Sequence, residues 1–240
     1  MPDREPLLDR FCRYARIDTQ SSGTSATYPS TEKQKDLLRA LVDDLKAAGL
    51  SDAGMDEWGY VMATLPSNLP VGHPAKGSVP TIGLVAHVDT YHEVSGAGVQ
   101  PLVHRDYDGG DIVLPGDPSV VIRASEEPAL AACLGLTIIT ANGTTLLGGD
   151  DKAGVAEILE LFWRLQEEPA RLHGPRRLRP LLRADALTTA SRRRLDQPGF
   201  AARLFCSTLF RRPYVKYTTK PITSHTMRRS HVSGGRPIIT

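Results

Sequence analysis

The sequence predicts an α/β domain built in layers. A short apolar run, Thr81-Ile-Gly-Leu-Val-Ala-His-Val-Asp-Thr90, has strand length and β-branched residues, and reads as a buried parallel strand. A second run, Thr144-Thr-Leu-Leu-Gly-Gly-Asp-Asp-Lys-Ala-Gly154, opens directly into Val155, Ile158, Leu159, Phe162 and Leu165 at helical spacing. Around these two runs the order is helix, helix, strand, strand, an irregular stretch, then strand, strand, helix. Strands interleaved with helices argue for a layered sheet rather than a bundle or a sandwich.

Residues 4–17 place Leu7, Leu8, Phe11, Tyr14 and Ile17 on one face and predict a first amphipathic helix. Residues 18–29 are rich in Ser, Thr and Gly and read as a loop. Thr31 and Gln34 have the spacing of a capping box. The helix they would open carries Leu38, Leu41, Val42 and Leu45 and stops at Gly49, a favoured residue just past a helix end. Residues 55–65 read as one or two strands with a turn at Gly59-Tyr60, and residues 67–80 as a Pro/Gly loop. Within residues 91–135, Tyr107-Asp-Gly-Gly-Asp111 reads as a turn between short strands, and residues 126–134 as a short helix. Residues 136–140 form a further strand. His73, His92 and His104 fall in loops as solvated histidines, and Trp58 and Trp163 as packing residues.

Histidine and aspartate two residues apart on a strand project to one face. His87 can therefore bind a metal while Asp89 orients it. The pair also fits a strand-end histidine hydrogen-bonded to its neighbour. Asp150 and Asp151 stand at a helix N-terminus after Gly148-Gly149, where a carboxylate caps the helix and meets its dipole favourably. The glycines suit a close backbone approach at a site as well as a cap.

Together, Ala86-His-Val-Asp-Thr90 and Leu147-Gly-Gly-Asp-Asp-Lys-Ala-Gly154 resemble the first two metal motifs of the co-catalytic zinc aminopeptidases. Arg10-Phe-Cys-Arg-Tyr-Ala-Arg-Ile-Asp-Thr-Gln-Ser21, Tyr107-Asp-Gly-Gly-Asp-Ile112 and Thr137-Ile-Ile-Thr-Ala-Asn-Gly-Thr-Thr-Leu-Leu-Gly148 narrow the resemblance to the peptidase T family of tripeptide aminopeptidases. It extends from about Arg4 to Pro175. It implies a zinc-exopeptidase-like αβα catalytic domain with two zinc ions and short peptides, tripeptides above all, as substrates. It also implies that His87 binds one zinc, Asp150 bridges both and Asp89 is the catalytic aspartate acting on His87. Asp151 is left as a helix cap or as support behind the ligands. The family's general base and further ligands follow in a Glu-Glu pair after His-Gly-Pro. Here His173-Gly-Pro175 is followed by Arg176-Arg-Leu-Arg, and no glutamate occurs beyond Glu168. The chain is also short for the family, so the expected domain is incomplete, the lid that dimerises is missing, and a homodimer is in doubt.

The division at residue 175 coincides with a change of charge. Residues 1–170 hold 13 Lys and Arg against 25 Asp and Glu, whereas residues 171–240 hold 16 against 2. The expected organisation is therefore a partial catalytic domain over 1–175 and an irregular, disordered basic tail over 176–240. A reading-frame shift just after Pro175 accounts for an arginine-rich, glutamate-poor tail, and such a chain would have lost activity. The alternative is a non-catalytic binding protein whose basic tail neutralises nucleic-acid phosphates. Neither interleaved stacking aromatics nor a binding motif favours it. Three widely spaced cysteines without Cys-x-x-Cys, no leader-like N-terminus and no membrane-length apolar run point to a cytoplasmic protein with reduced thiols.

Overall fold

The first two helices follow from their apolar stripes. Helix α1, Leu7–Arg16, buries Phe11, Cys12, Tyr14 and Ala15, and carries Arg13 and Arg16 in its last turn, where cations complement the dipole. Helix α2, Gln34–Ala47, buries Leu37, Leu38, Leu41 and Leu45. Its end is a Schellman turn. Gly49 takes φ +81°, its N–H donates to Lys46 O at 2.9 Å, and Leu50 N–H donates to Leu45 O at 3.0 Å. The expected capping box does not form. Thr31 donates its hydroxyl to Gln20 O at 2.8 Å, Gln34 Nε2 donates to Ser30 Oγ at 3.0 Å, and Lys33 precedes the helix with no side-chain cap bond. The loop before α2 takes up both side chains that would have capped it.

The computed structural model describes residues 5–178. The remaining elements are β1 (Gly54–Met55), β2 (Val61–Leu65), β3 (Ile82–Leu84), β4 (Leu102–His104), β5 (Ile112–Val113), β6 (Val121–Ile122), α3 (Pro128–Ala131), β7 (Ile138–Thr140), α4 (Gly149–Glu167) and β8 (Arg176–Leu178). The main sheet has the order β1-β2-β8-β3. Strand β8 runs antiparallel to β2 and parallel to β3, so the sheet is mixed. Strands β4 and β7 pair with each other, as do β5 and β6. Helices packed on a sheet bear out the α/β class. Among the described residues no helix is long and apolar enough to cross a membrane.

One core joins the helices to the sheet. Phe11, Tyr14, Leu37, Leu41, Leu45, Val61, Val88, Leu159, Phe162 and Leu178 are all buried in it. A second, smaller cluster of Tyr107, Ile112, Leu114 and Cys133 lies under the short strands. Helices α1 and α4 pack against each other. Within that seam the Arg10 guanidinium, 2% exposed, donates to Glu160 at 3.2 Å, and Arg164 donates to the same carboxylate at 2.7 Å. The cysteines Cys12 and Cys133 are free and buried.

Several expectations need correction. The strand at residues 81–90 is parallel, but its regular part ends at Leu84. Among the described residues it is an edge strand, with Ile82 and Val85 exposed. The strands flanking Tyr107–Asp111 do not pair with each other, because β4 finds β7 and β5 finds β6. His104 lies in β4 with Nε2 3.0 Å from Thr140 Oγ1, not in a solvated loop. Trp163 packs in the core, whereas Trp58 is half exposed. The irregular tail does not begin at Pro175. Arg176–Leu178 forms β8 between β2 and β3, because backbone pairing is indifferent to side-chain type and Leu178 supplies a core residue. The expectations for residues 179–240, including disorder, the frame shift and Cys206, lie outside the described residues.

Candidate functional site

Two segments meet at the end of the sheet. The first is the extended stretch after β3. Val88 is fully buried, which turns His87 and Asp89 to the other side of the backbone. The His87 Nδ1 stands 3.1 Å from both Asp89 Oδ1 and the Asp89 carbonyl. The second segment is the turn entering α4. Gly148 adopts the left-handed region at φ +75°, and a Cβ there would meet Thr90 Cγ2 at 3.1 Å. Asp150 and Asp151 have non-helical backbone angles, so the regular helix begins after them. The Asp151 carboxylate accepts the Gly154 N–H at 3.2 Å, the bond of an N-cap.

This turn brings Asp150 Oδ1 to 3.1 Å from His87 Nε2. Three of the residues read from the sequence, His87, Asp89 and Asp150, therefore gather as a carboxylate–imidazole–carboxylate row. Asp151 lies behind it. Burial opposes a charge on the ring, yet the Asp150 and Asp89 carboxylates outweigh it and hold the imidazole protonated, with its pKa raised to about 10. In return, the hydrogen bond from His87 lowers the pKa of Asp150. Burial pushes Asp151 up to about 6.

Lys152, to which the sequence assigned no role of its own, stands in this turn. It is 1% exposed, and its ammonium donates to Ile17 O at 2.7 Å, just beyond the C-terminal end of α1. A cation suits the carbonyls there, although burial lowers its pKa to about 8. The available signal was a lysine followed at once by an apolar helical face.

A zinc ion takes three or four protein ligands. His87 Nε2 and Asp150 Oδ1 are donors of the right chemistry and converge. Among the described residues, no group of three or more His, Cys, Asp or Glu is gathered to hold a metal. The described donors thus fit two positions of a metal site, not a complete one. His173, buried, has its ring Nδ1 2.9 Å from Gly174 O.

No family model matches the chain. Curated relatives do. It is 47% identical over 171 residues to peptidase T of Geobacillus thermodenitrificans, covering 71% of this chain and 40% of the relative. It is 48% identical over 172 residues to peptidase T of Exiguobacterium sp., covering 72% and 40%. Peptidase T of Listeria monocytogenes is 43% identical over 200 residues, covering 83% and 47%. The chain spans 40–47% of the length of these relatives. Their names bear out the resemblance read from the motifs. Among solved structures, a tripeptidase from Staphylococcus aureus subsp. aureus mu50 aligns with TM-score 0.48 and 22% identity, over 75% of this chain and 36% of its own. Aminopeptidase PepT from Bacillus cereus aligns with TM-score 0.47 and 21% identity, over 73% and 35%.

Proposed function

We propose, from the similarity of this chain to the N-terminal part of peptidase T, that it carries one half of the centre of a tripeptide aminopeptidase. The observation that supports this most is the meeting of His87, Asp89 and Asp150, 63 residues apart in sequence between His87 and Asp150, at 3.1 Å contacts. When bound, zinc would supply a water made acidic enough to attack a peptide carbonyl near neutral pH. His87 would hold one ion through Nε2 and Asp150 would bridge to a second. Asp89 holds the opposite ring nitrogen, which fixes the orientation of the imidazole. Asp151 anchors the start of α4 and so keeps the Asp150 carboxylate on the ring side of the turn.

The 240 residues contain no glutamate beyond Glu168, so the paired glutamates implied by the resemblance are not among them. Loss of a general base alone removes about 10²–10⁴ in rate. The purified chain should therefore release no amino acid from tripeptides, while still binding zinc weakly through His87 and Asp150. Turnover that is abolished by Asp150→Ala would show instead that other residues of this chain supply the base and the missing ligands. Substrates are short peptides in a cytoplasmic setting, and the acidic first part gives no reason to expect nucleic acid as a partner.

A further inference from the structure

The motif Arg10-Phe-Cys-Arg-Tyr-Ala-Arg-Ile-Asp-Thr-Gln-Ser21 contributes no ligand to this site, yet its last five residues touch both halves of it. Thr19 is fully buried. Its hydroxyl donates to Val88 O at 2.6 Å, and its carbonyl accepts the Thr90 N–H at 3.1 Å. These two bonds grip the backbone on either side of Asp89. Gln20 pairs with Thr90 as an isolated parallel bridge. The Ser21 N–H and hydroxyl both donate to Thr90 O, at 2.9 and 2.8 Å. Gln20 Nε2 donates to His92 O and Val94 O at 2.9 and 3.0 Å. At the other end of the same stretch, Ile17 O accepts the Lys152 ammonium at 2.7 Å, next to the Asp150 turn.

His87 and Asp150 belong to different elements, and their separation depends on what holds those elements together. We propose that residues 17–21 are the clamp that sets it, with Thr19 as a positioning residue that aims Asp89 at His87 and Lys152 as the tie that brings Asp150 to the same ring. This inference rests on the reading of His87, Asp89 and Asp150 as the working groups. A hydroxyl is required at position 19, because the bond to Val88 O lies in the core, where a buried carbonyl left without a donor is costly. Valine matches threonine in shape and lacks that donor.

The test compares the 240-residue chain with Thr19→Val and Thr19→Ser. Two readouts are taken on folded protein checked by circular dichroism. The first is the low-field proton signal of the His87 Nδ1–H, which faces the Asp89 carbonyl and Oδ1 at 3.1 Å, without metal and assigned by its loss in His87→Gln. The second is zinc affinity by titration. Thr19→Val should weaken the ring signal and lower zinc affinity about 10–100-fold, the usual cost of losing an orienting partner. Thr19→Ser should keep both. If Thr19→Val does not fold, Ser21→Ala, which removes one of two donors to Thr90 O, should produce a smaller change in the same direction. A folded Thr19→Val with unchanged ring signal and affinity overturns the clamp. So does a Thr19→Ser that behaves like Thr19→Val, or, where Thr19→Val is unfolded, a Ser21→Ala without effect. Should the unaltered chain bind no zinc, the proposed function loses its ligands, but the ring signal still decides the clamp.

Discussion

Glu160→Gln should be among the most damaging single substitutions outside the candidate site. Glu160 lies in the α1–α4 seam with its side chain 8% exposed, and it accepts from Arg10 at 3.2 Å and from Arg164 at 2.7 Å. Arg164 is 31% exposed and can turn to water. Arg10, at 2%, cannot. Among the described residues, its remaining partners are the Glu5 carbonyl at 2.9 Å and the Glu5 carboxylate at 4.0 Å. Removing one partner of a buried pair costs about 3–5 kcal/mol, because the other charge is left uncompensated. The residual contacts with Glu5 put the expected loss near the lower end, about 3 kcal/mol. Total stability of a domain is of the order of 5–15 kcal/mol. With a urea slope of about 2 kcal/mol per M, the midpoint should fall by roughly 1.5 M. The assay is urea unfolding followed by circular dichroism at fixed pH. The double variant Arg10→Met with Glu160→Leu removes both charges and should recover most of the loss. A loss below about 1 kcal/mol in Glu160→Gln, or a double variant no better than the single, would refute the reasoning that a desolvated Arg10 is the source of the cost.

Other expectations follow from individual residues. Leu41→Ala should cost about 2–5 kcal/mol by chemical denaturation, since Leu41 is 1% exposed in the main core. Gly148→Ala forces a Cβ into φ +75° and against Thr90, so it should cost about 1–2 kcal/mol and reduce zinc binding as well. His87, with its pKa raised to about 10 in the fold against about 6.5 in the unfolded chain, binds its proton more tightly when folded. Its contribution is full below about pH 6.5 and is lost as pH rises through about 10. Lys152, lowered to about 8, acts in the opposite sense above that pH. The pH dependence of stability should therefore be compared between the unaltered chain and His87→Ala; the difference should shrink from pH 6 to pH 10, and a constant difference would contradict it. Reading the gene beyond codon 175 in the other two frames should reveal a Glu-Glu pair, and its absence from both frames would leave the basic tail as a genuine fusion.

Much of the fold was legible because its helices are amphipathic and its turns use glycine. Leu37, Leu38, Leu41 and Leu45 mark α2, and Gly49 marks its end. The site was legible in part for a different reason. Its residues stand in two motifs whose spacing is short, while the contact between the motifs is made by the fold. The failures have physical causes. The Thr31–Gln34 capping box was local logic overridden by the neighbouring loop, which took both side chains. Pairing of β4 with β7 and β5 with β6 is non-local and leaves no mark on either strand alone. Arg10 and Glu160 sit at core spacing on their helices, beside Phe11 and Leu159, and a charge at each such position could have announced a buried pair. Thr19 carried no such signal: its role depends on two backbone groups that come from residues 88 and 90.

The central claim is that His87 and Asp150 are two ligands of a zinc centre. It is tested most directly by calorimetric zinc titration of the 240-residue chain, with His87→Ala and Asp150→Ala alongside. The account predicts weak binding by the unaltered chain, strengthening as pH rises and His87 yields its proton, and a clear loss of affinity in each variant. Zinc binding of equal strength in all three proteins would contradict it.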